Sequence, residues 1–173
     1  MYIVSRCLLG VNCKYNGGNN RNDEVIRFCE THSCFDVCPE TAGGLKSPRV
    51  PSELTESNDA KGAEPADGGA VAMRGKYFKV IDSEGTDVTA NFVSGAARSY
   101  WDAIPEAERR GEPVEGAILK ANSPSCGCGE VYDGTFTGRL TEGDGVFTAL
   151  LKNNDITVAT EKNFKEVFRD AIK

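Results

Sequence analysis

Histidine is nearly missing from this chain: His32 is the only one in 173 residues. A Ser-His-Asp triad or a histidine-built zinc site therefore has little to draw on. Long apolar runs are missing too. No stretch approaches the roughly 20 apolar residues of a membrane helix. The opening MYIVSRCLLG has one arginine and too short an apolar core for a secretory signal, so a cytoplasmic protein is expected. Basic excess is absent, with a net charge of -6, the opposite of the footprint of a general nucleic-acid binder. There is no Walker A loop, and GCGEVYDG does not match G-x-G-x-x-G. No C-x-x-C occurs, which weakens a thioredoxin-like reading.

Cysteine, by contrast, is plentiful. There are seven, an odd number that cannot pair completely. In a reducing compartment such thiols serve metals or catalysis more often than disulfides. The length suits one domain over residues 1–173, which buries about 70% of its unfolded surface and needs no metal merely to fold.

Short β-branched runs alternate with helical patterns. YIVS at Tyr2–Ser5 reads as a strand ending at Cys7, FDVC at Phe35–Cys38 as a second, GAILK at Gly116–Lys120 as a third and ITVAT at Ile156–Thr160 as the last. Asn22 or Asp23 caps a first helix to about His32, and Thr86 or Asp87 caps a second through Ile104. A third helix spans about Gly145–Lys152. In the closing EKNFKEVFRDAIK, Phe164, Val167, Phe168 and Ile172 recur at helical spacing as core positions. Thr55–Gly69 is a polar excursion, and Ala70–Asp82 is a hairpin with Gly75 at or near its turn. The expected fold is α/β: one compact domain, a mostly parallel, Rossmann-like sheet covered by helices on both faces, and a loop and hairpin inserted over residues 55–85.

Open α/β sheets bind ligands at the carboxyl ends of their strands. Cys7, Cys38 and Cys126 fall at three such ends, each near glycine or proline. Any single cysteine is often a small buried hydrophobe; three at matching ends suggest a shared site. Three thiolates can hold zinc or an iron–sulfur cluster. The backbone N–H groups of Gly127 and Gly129 could face cluster sulfides or an anion, or the glycines could serve turn geometry alone. Cys13 is a possible fourth ligand or sulfur acceptor. Cys128 reads as a bystander, and Cys29 and Cys34 as core. Glu40 follows Cys38 closely enough to activate water at the same rim. Ser123 and Ser125, before Cys126, can donate to substrate or cap a turn. Lys46, Arg49 and Lys120 could meet an anionic substrate group.

Five motifs occur in order: CLLGVNCKYNGG, VCPETAGGLKSPRVPSE, GTDVT, ILKANSPSCG and YDGTFTG. Together they resemble the thiouracil desulfidase family over nearly the whole chain. The resemblance implies an enzyme, a [4Fe-4S]-dependent desulfidase of thiolated pyrimidine bases, nucleosides or nucleotides, with sulfur taken up by the open iron and released as sulfide. It implies Cys7, Cys38 and Cys126 as ligands and Glu40 and Ser123 as catalytic groups; Ser125, Arg49, Lys120 and Asp133 are the further candidates for the substrate side. Two alternatives stand beside it: a module binding zinc or a cluster without turnover, and a thiol-based sulfur carrier using Cys126 or Cys128. Lys14, Asn16 and Asn122 depart from the usual motif, as does the extra Cys128.

Overall fold

The computed structural model describes residues 1–57, 71–73 and 76–172. Its centre is a four-stranded parallel sheet in the order β2-β1-β6-β9, made of Tyr2–Ser5 (β1), Cys34–Val37 (β2), Gly116–Leu119 (β6) and Val158–Thr160 (β9). Alternation along each strand explains why both faces are covered. Ile3, Ala117, Leu119 and Val158 meet Phe92, Ala96, Phe147 and Leu151 of α3 (Thr89–Arg110) and α4 (Val146–Asn153). Tyr2, Val4, Ile118 and Ala159 meet Val25 and Phe28 of α1 (Asp23–Thr31) and Phe164 of α5 (Phe164–Val167), with Phe168 just beyond. The parallel α/β architecture with helices on both faces is therefore as expected.

Both of the first two strands end earlier than their apolar runs suggest. β1 stops at Ser5, where the chain tightens into a 3-10 turn, Arg6–Leu9, that contains Cys7. β2 starts at Cys34 and stops at Val37, because Pro39 opens the short helix α2 (Pro39–Ala42) and makes Cys38 its N-cap. Asn22 caps α1 through its side chain, accepting from the amides of Glu24 and Val25 at 3.0 and 3.1 Å. The long helix α3 continues through Pro105 to Arg110, held by buried Ala103 and Ala107 on either side of the proline.

The inserted segment does not extend the parallel sheet. It forms a separate antiparallel sheet, β3-β5-β4, from Ser52–Glu56, Lys76–Asp82 and Val71–Met73. Thr55 and Glu56 therefore belong to a strand, not to a loop. Residues 58–70 and the expected turn at Gly75 lie outside the described residues. The glycine-rich segment after Cys128 contains a further hairpin, β7 (Glu130–Tyr132) with β8 (Leu140–Glu142). The final helix is one turn long. Phe164 and Phe168 are buried, but Val167 and Ile172 are exposed, because helical periodicity stops where the helix does.

Candidate active site

Strand order sets the location. From β1 the chain crosses to β2 on one side, and later returns to β6 on the other side of β1. Loops leaving the carboxyl ends of β1 and β6 therefore diverge and open a crevice. A cavity of about 710 Å³ lies at this rim. Cys7, Cys13, Cys38 and Cys126 all line it, as do Glu40, Arg49, Lys120 and Ser123.

Local packing fixes each group. The α2 turn that carries Glu40 lies backbone to backbone on α3 through two glycines. A Cβ on Gly95 would fall 1.9 Å from the Pro39 carbonyl oxygen, and one on Gly43 would fall 2.0 Å from that of Asn91. The loop bearing Cys126 is tied to the start of α4. Val146 N–H donates to Pro124 O at 2.9 Å, Phe147 N–H to Ser125 O at 2.8 Å, and Thr148 Oγ1 to Cys126 O at 2.9 Å. Ser123 Oγ accepts from the amides of Ser125 and Cys126, both at 3.1 Å, and donates to Glu40 Oε1 at 3.4 Å. The other oxygen of Glu40 is held by the Arg49 guanidinium, which also reaches Cys13 O and Lys46 O at 3.3 and 2.9 Å.

The thiols differ in character. Cys13 is buried and lines the cavity with Cys7 and Cys38. Hydrogen bonding with the Cys13 thiol lowers the pKa of Cys7 and of Cys38, the latter to about 6, and raises that of Cys13 itself. Asn20 Nδ2 adds a donor to Cys7 Sγ at 3.5 Å. Burial pushes Cys126 well above the ordinary thiol range. Cys38 therefore already favours the thiolate that binds metal and Cys7 is shifted towards it, while Cys126 keeps its proton until a cation displaces it. Among the described residues, no group of three or more His, Cys, Asp or Glu side chains closes around one point as a single metal ion requires. The cysteine donors Cys7, Cys13, Cys38 and Cys126 all line the one cavity. An all-sulfur donor set of this kind fits a polynuclear iron–sulfur cluster.

Several expected contributors lie elsewhere. Ser125 is buried behind the loop, its Oγ unpartnered among the described residues, and does not line the cavity. Asp133 also stays outside: its carboxylate accepts from Thr135 N–H and Oγ1 and pairs with Arg139, which shapes the loop beneath Phe136. Gly127 and Gly129 do not offer free amides. Their N–H groups donate to Ser123 O at 2.8 Å and Asp144 Oδ1 at 2.9 Å. Cys128 turns to the core and donates to Val158 O at 3.6 Å. Lys46 is exposed, outside the lining.

Sequence reasoning missed the far wall of the cavity. Tyr15, Tyr132 and Phe136 line it, and the buried carboxylate of Glu53 accepts from Gly134 N–H and Phe136 N–H at 2.9 and 3.0 Å. The only signal for Glu53 was its place in VPSE, at the end of a motif. Nothing local announced that Phe136 would come back over the sheet.

Comparison with known proteins follows the same lines. Residues 2–163 match the family model described as 2-thiouracil desulfurase. The chain is 33% identical over 167 residues to the uncharacterized protein YbbK of Bacillus subtilis strain 168, covering 96% of this chain and 99% of that one. It is also similar to the solved structure of the [4Fe-4S]-dependent thiouracil desulfidase TudS, at 32% identity and a TM-score of 0.71, covering 95% of this chain and 93% of that one. The chain belongs to the 2-thiouracil desulfurase family.

Proposed function

We propose that this member of the 2-thiouracil desulfurase family is a [4Fe-4S]-dependent enzyme that removes sulfur from a small thiolated pyrimidine and releases it as sulfide. One observation carries the reading: a single cavity lined by Cys7, Cys38 and Cys126, with Glu40 and Ser123 in hydrogen-bond reach of each other beside them. The three thiolates would hold the cluster. When bound, it would supply an iron with an open position, a thiophilic Lewis acid for the thiocarbonyl sulfur.

The chain's own residues do the rest. Arg49 fixes one oxygen of Glu40 and turns the other towards Ser123 and the cavity. That oxygen accepts a proton from water as the water oxygen adds to the ring carbon. Ser123 orients the carboxylate and at the same time holds the Cys126 loop. The overall change is hydrolytic: thiocarbonyl and water become carbonyl and hydrogen sulfide, with no net oxidation. Tyr15, Tyr132 and Phe136 offer flat apolar surface to a pyrimidine ring.

The charge pattern favours an uncharged base or nucleoside over a nucleotide. Of the four cations in the lining, Arg6 pairs with Asp36, Arg49 with Glu40 and Lys120 with Glu161. A phosphate would have to compete with those carboxylates; Lys14, set over the Tyr15 ring, is the cation best free to meet it. We read residues 1–173 as a single desulfidase-like domain with 55–85 as an insertion, working in the cytoplasm. The sulfur-carrier alternative is disfavoured, because a carrier needs an accessible, low-pKa thiol, whereas Cys126 is buried with its pKa raised and Cys128 faces the core.

Anaerobic purification tests the ligand set. Wild-type protein should be brown and carry a full cluster's iron and acid-labile sulfide. Cys7→Ser, Cys38→Ser and Cys126→Ser should each lose most of it, and Cys13→Ser should keep it. Colourless protein with stoichiometric zinc would overturn the proposal, and iron loss in Cys13→Ser would make Cys13 a fourth ligand.

A further inference from the structure

The segment YDGTFTG, which turns from β7 into β8, brings Tyr132, Phe136 and Gly138 to the cavity. Most of its side-chain hydrogen bonds are internal. Asp133 Oδ1 accepts from Thr135 Oγ1 at 2.6 Å, Thr135 Oγ1 and Thr137 Oγ1 lie 2.8 Å apart, and Arg139 pairs with Asp133. These bonds close the turn on itself but do not fasten it to the rest of the molecule. Glu53 does. It stands on β3, only 7% exposed, and its Oε2 accepts from both Gly134 N–H and Phe136 N–H, at 2.9 and 3.0 Å. A buried carboxylate is costly unless it is bonded in this way. Gly134 lies directly on the same strand: a Cβ there would fall 2.5 Å from Thr55 Oγ1 and 2.9 Å from Leu54 O. Phe136 takes a φ of 56°, a left-handed conformation that a bulky residue seldom adopts and keeps only where its surroundings hold it.

We infer that Glu53 is a positioning residue for the substrate: by holding the Gly134–Phe136 turn on β3, it sets the Phe136 ring against the face of the pyrimidine and so determines how tightly a flat heterocycle binds. The inference rests on the desulfidase reading above and assigns that site a specificity element. Phe136 has no polar side-chain atom, so it contributes stacking area alone. A neutral thiopyrimidine has a π-face to meet it, whatever its ring substituents. Glu53 acts through Phe136. Cys7, Cys38, Cys126, Glu40 and Ser123 are carried by other segments of the chain, so the ligands and the base stay in place when the turn is released.

The test uses full-length, cluster-loaded protein, with turnover of 2-thiouracil and calorimetric binding of uracil as readouts. Glu53→Ala should raise KM and weaken uracil binding about tenfold, the contribution of one base–aromatic stack, while kcat moves far less and iron content stays at the wild-type level. Phe136→Ala should weaken uracil binding as much. The double variant should bind no worse than either single one, since both remove the same ring. Glu53→Gln, whose carbonyl oxygen can still accept from both amides, should restore most of the affinity. Glu53→Asp, a methylene too short to reach both, should behave as the alanine variant and replaces it if that variant does not fold. A wild-type KM in Glu53→Ala or Glu53→Asp, additive losses in the double variant, or weak binding by Glu53→Gln would overturn the inference and leave the desulfidase reading intact. Wild-type protein that neither releases sulfide nor binds uracil would overturn that reading, and the inference with it.

Discussion

Glu40 shows how little a residue's identity says until its partners are known. In sequence it is one glutamate among many beside a cysteine and a proline. In the fold Arg49 and Ser123 each take one of its oxygens. Glu40→Gln keeps the shape and removes the base. Sulfide release should fall by about 10²–10⁴-fold while iron content stays at the wild-type level, as measured by sulfide and iron assays on the same preparation. Normal turnover by that variant would move water activation elsewhere. The cysteines were legible at this scale because strand ends bring them together. Ser125 and Asp133 were not, because adjacency to a motif does not say which way a side chain turns. Ser125 points behind its loop, and Asp133 is consumed by Thr135 and Arg139.

At the scale of elements, the parallel strands and the Asn22 cap could be read directly from local pattern. The antiparallel sheet β3-β5-β4 and the hairpin β7-β8 were harder, since their pairing joins segments far apart or lies inside a glycine-rich run. The contact between α2 and α3 was invisible in sequence, because two isolated glycines do not reveal that they face each other's backbones. Gly95→Ala should cost about 1–3 kcal/mol in urea unfolding, as overpacking does, and should also lower sulfide release by displacing Glu40; an unchanged midpoint and rate would contradict the contact. The start of α3 rests on Asp87. Burial opposes its ionisation, but hydrogen bonds from Thr89 and the Lys79 ion pair outweigh this, so its pKa lies below the ordinary 3.8. A depressed carboxyl stabilises the fold above the unfolded value, and that contribution is lost as pH falls through the folded one. Asp87→Ala should therefore cost about 1 kcal/mol at neutral pH, and the difference from wild type should shrink in denaturant melts taken below about pH 3.

Over the whole molecule, the described helices include none long and apolar enough to cross a membrane. Net charge is negative, and the cations at the cavity are mostly matched by carboxylates. Such a surface suits a small neutral ring better than a phosphate-rich polymer. 2-Thiouracil or 2-thiouridine should thus be processed with a higher kcat/KM than the matching monophosphate, which a steady-state comparison at fixed ionic strength would check. The central claim is more basic: that this cavity, once loaded with its cluster, breaks a C–S bond. The direct measurement is a time course of sulfide and uracil from 2-thiouracil, with cluster-loaded protein under anaerobic conditions. Equimolar sulfide and uracil should accumulate over many turnovers. Protein with full iron and sulfide content that releases neither product from any thiolated pyrimidine would contradict it.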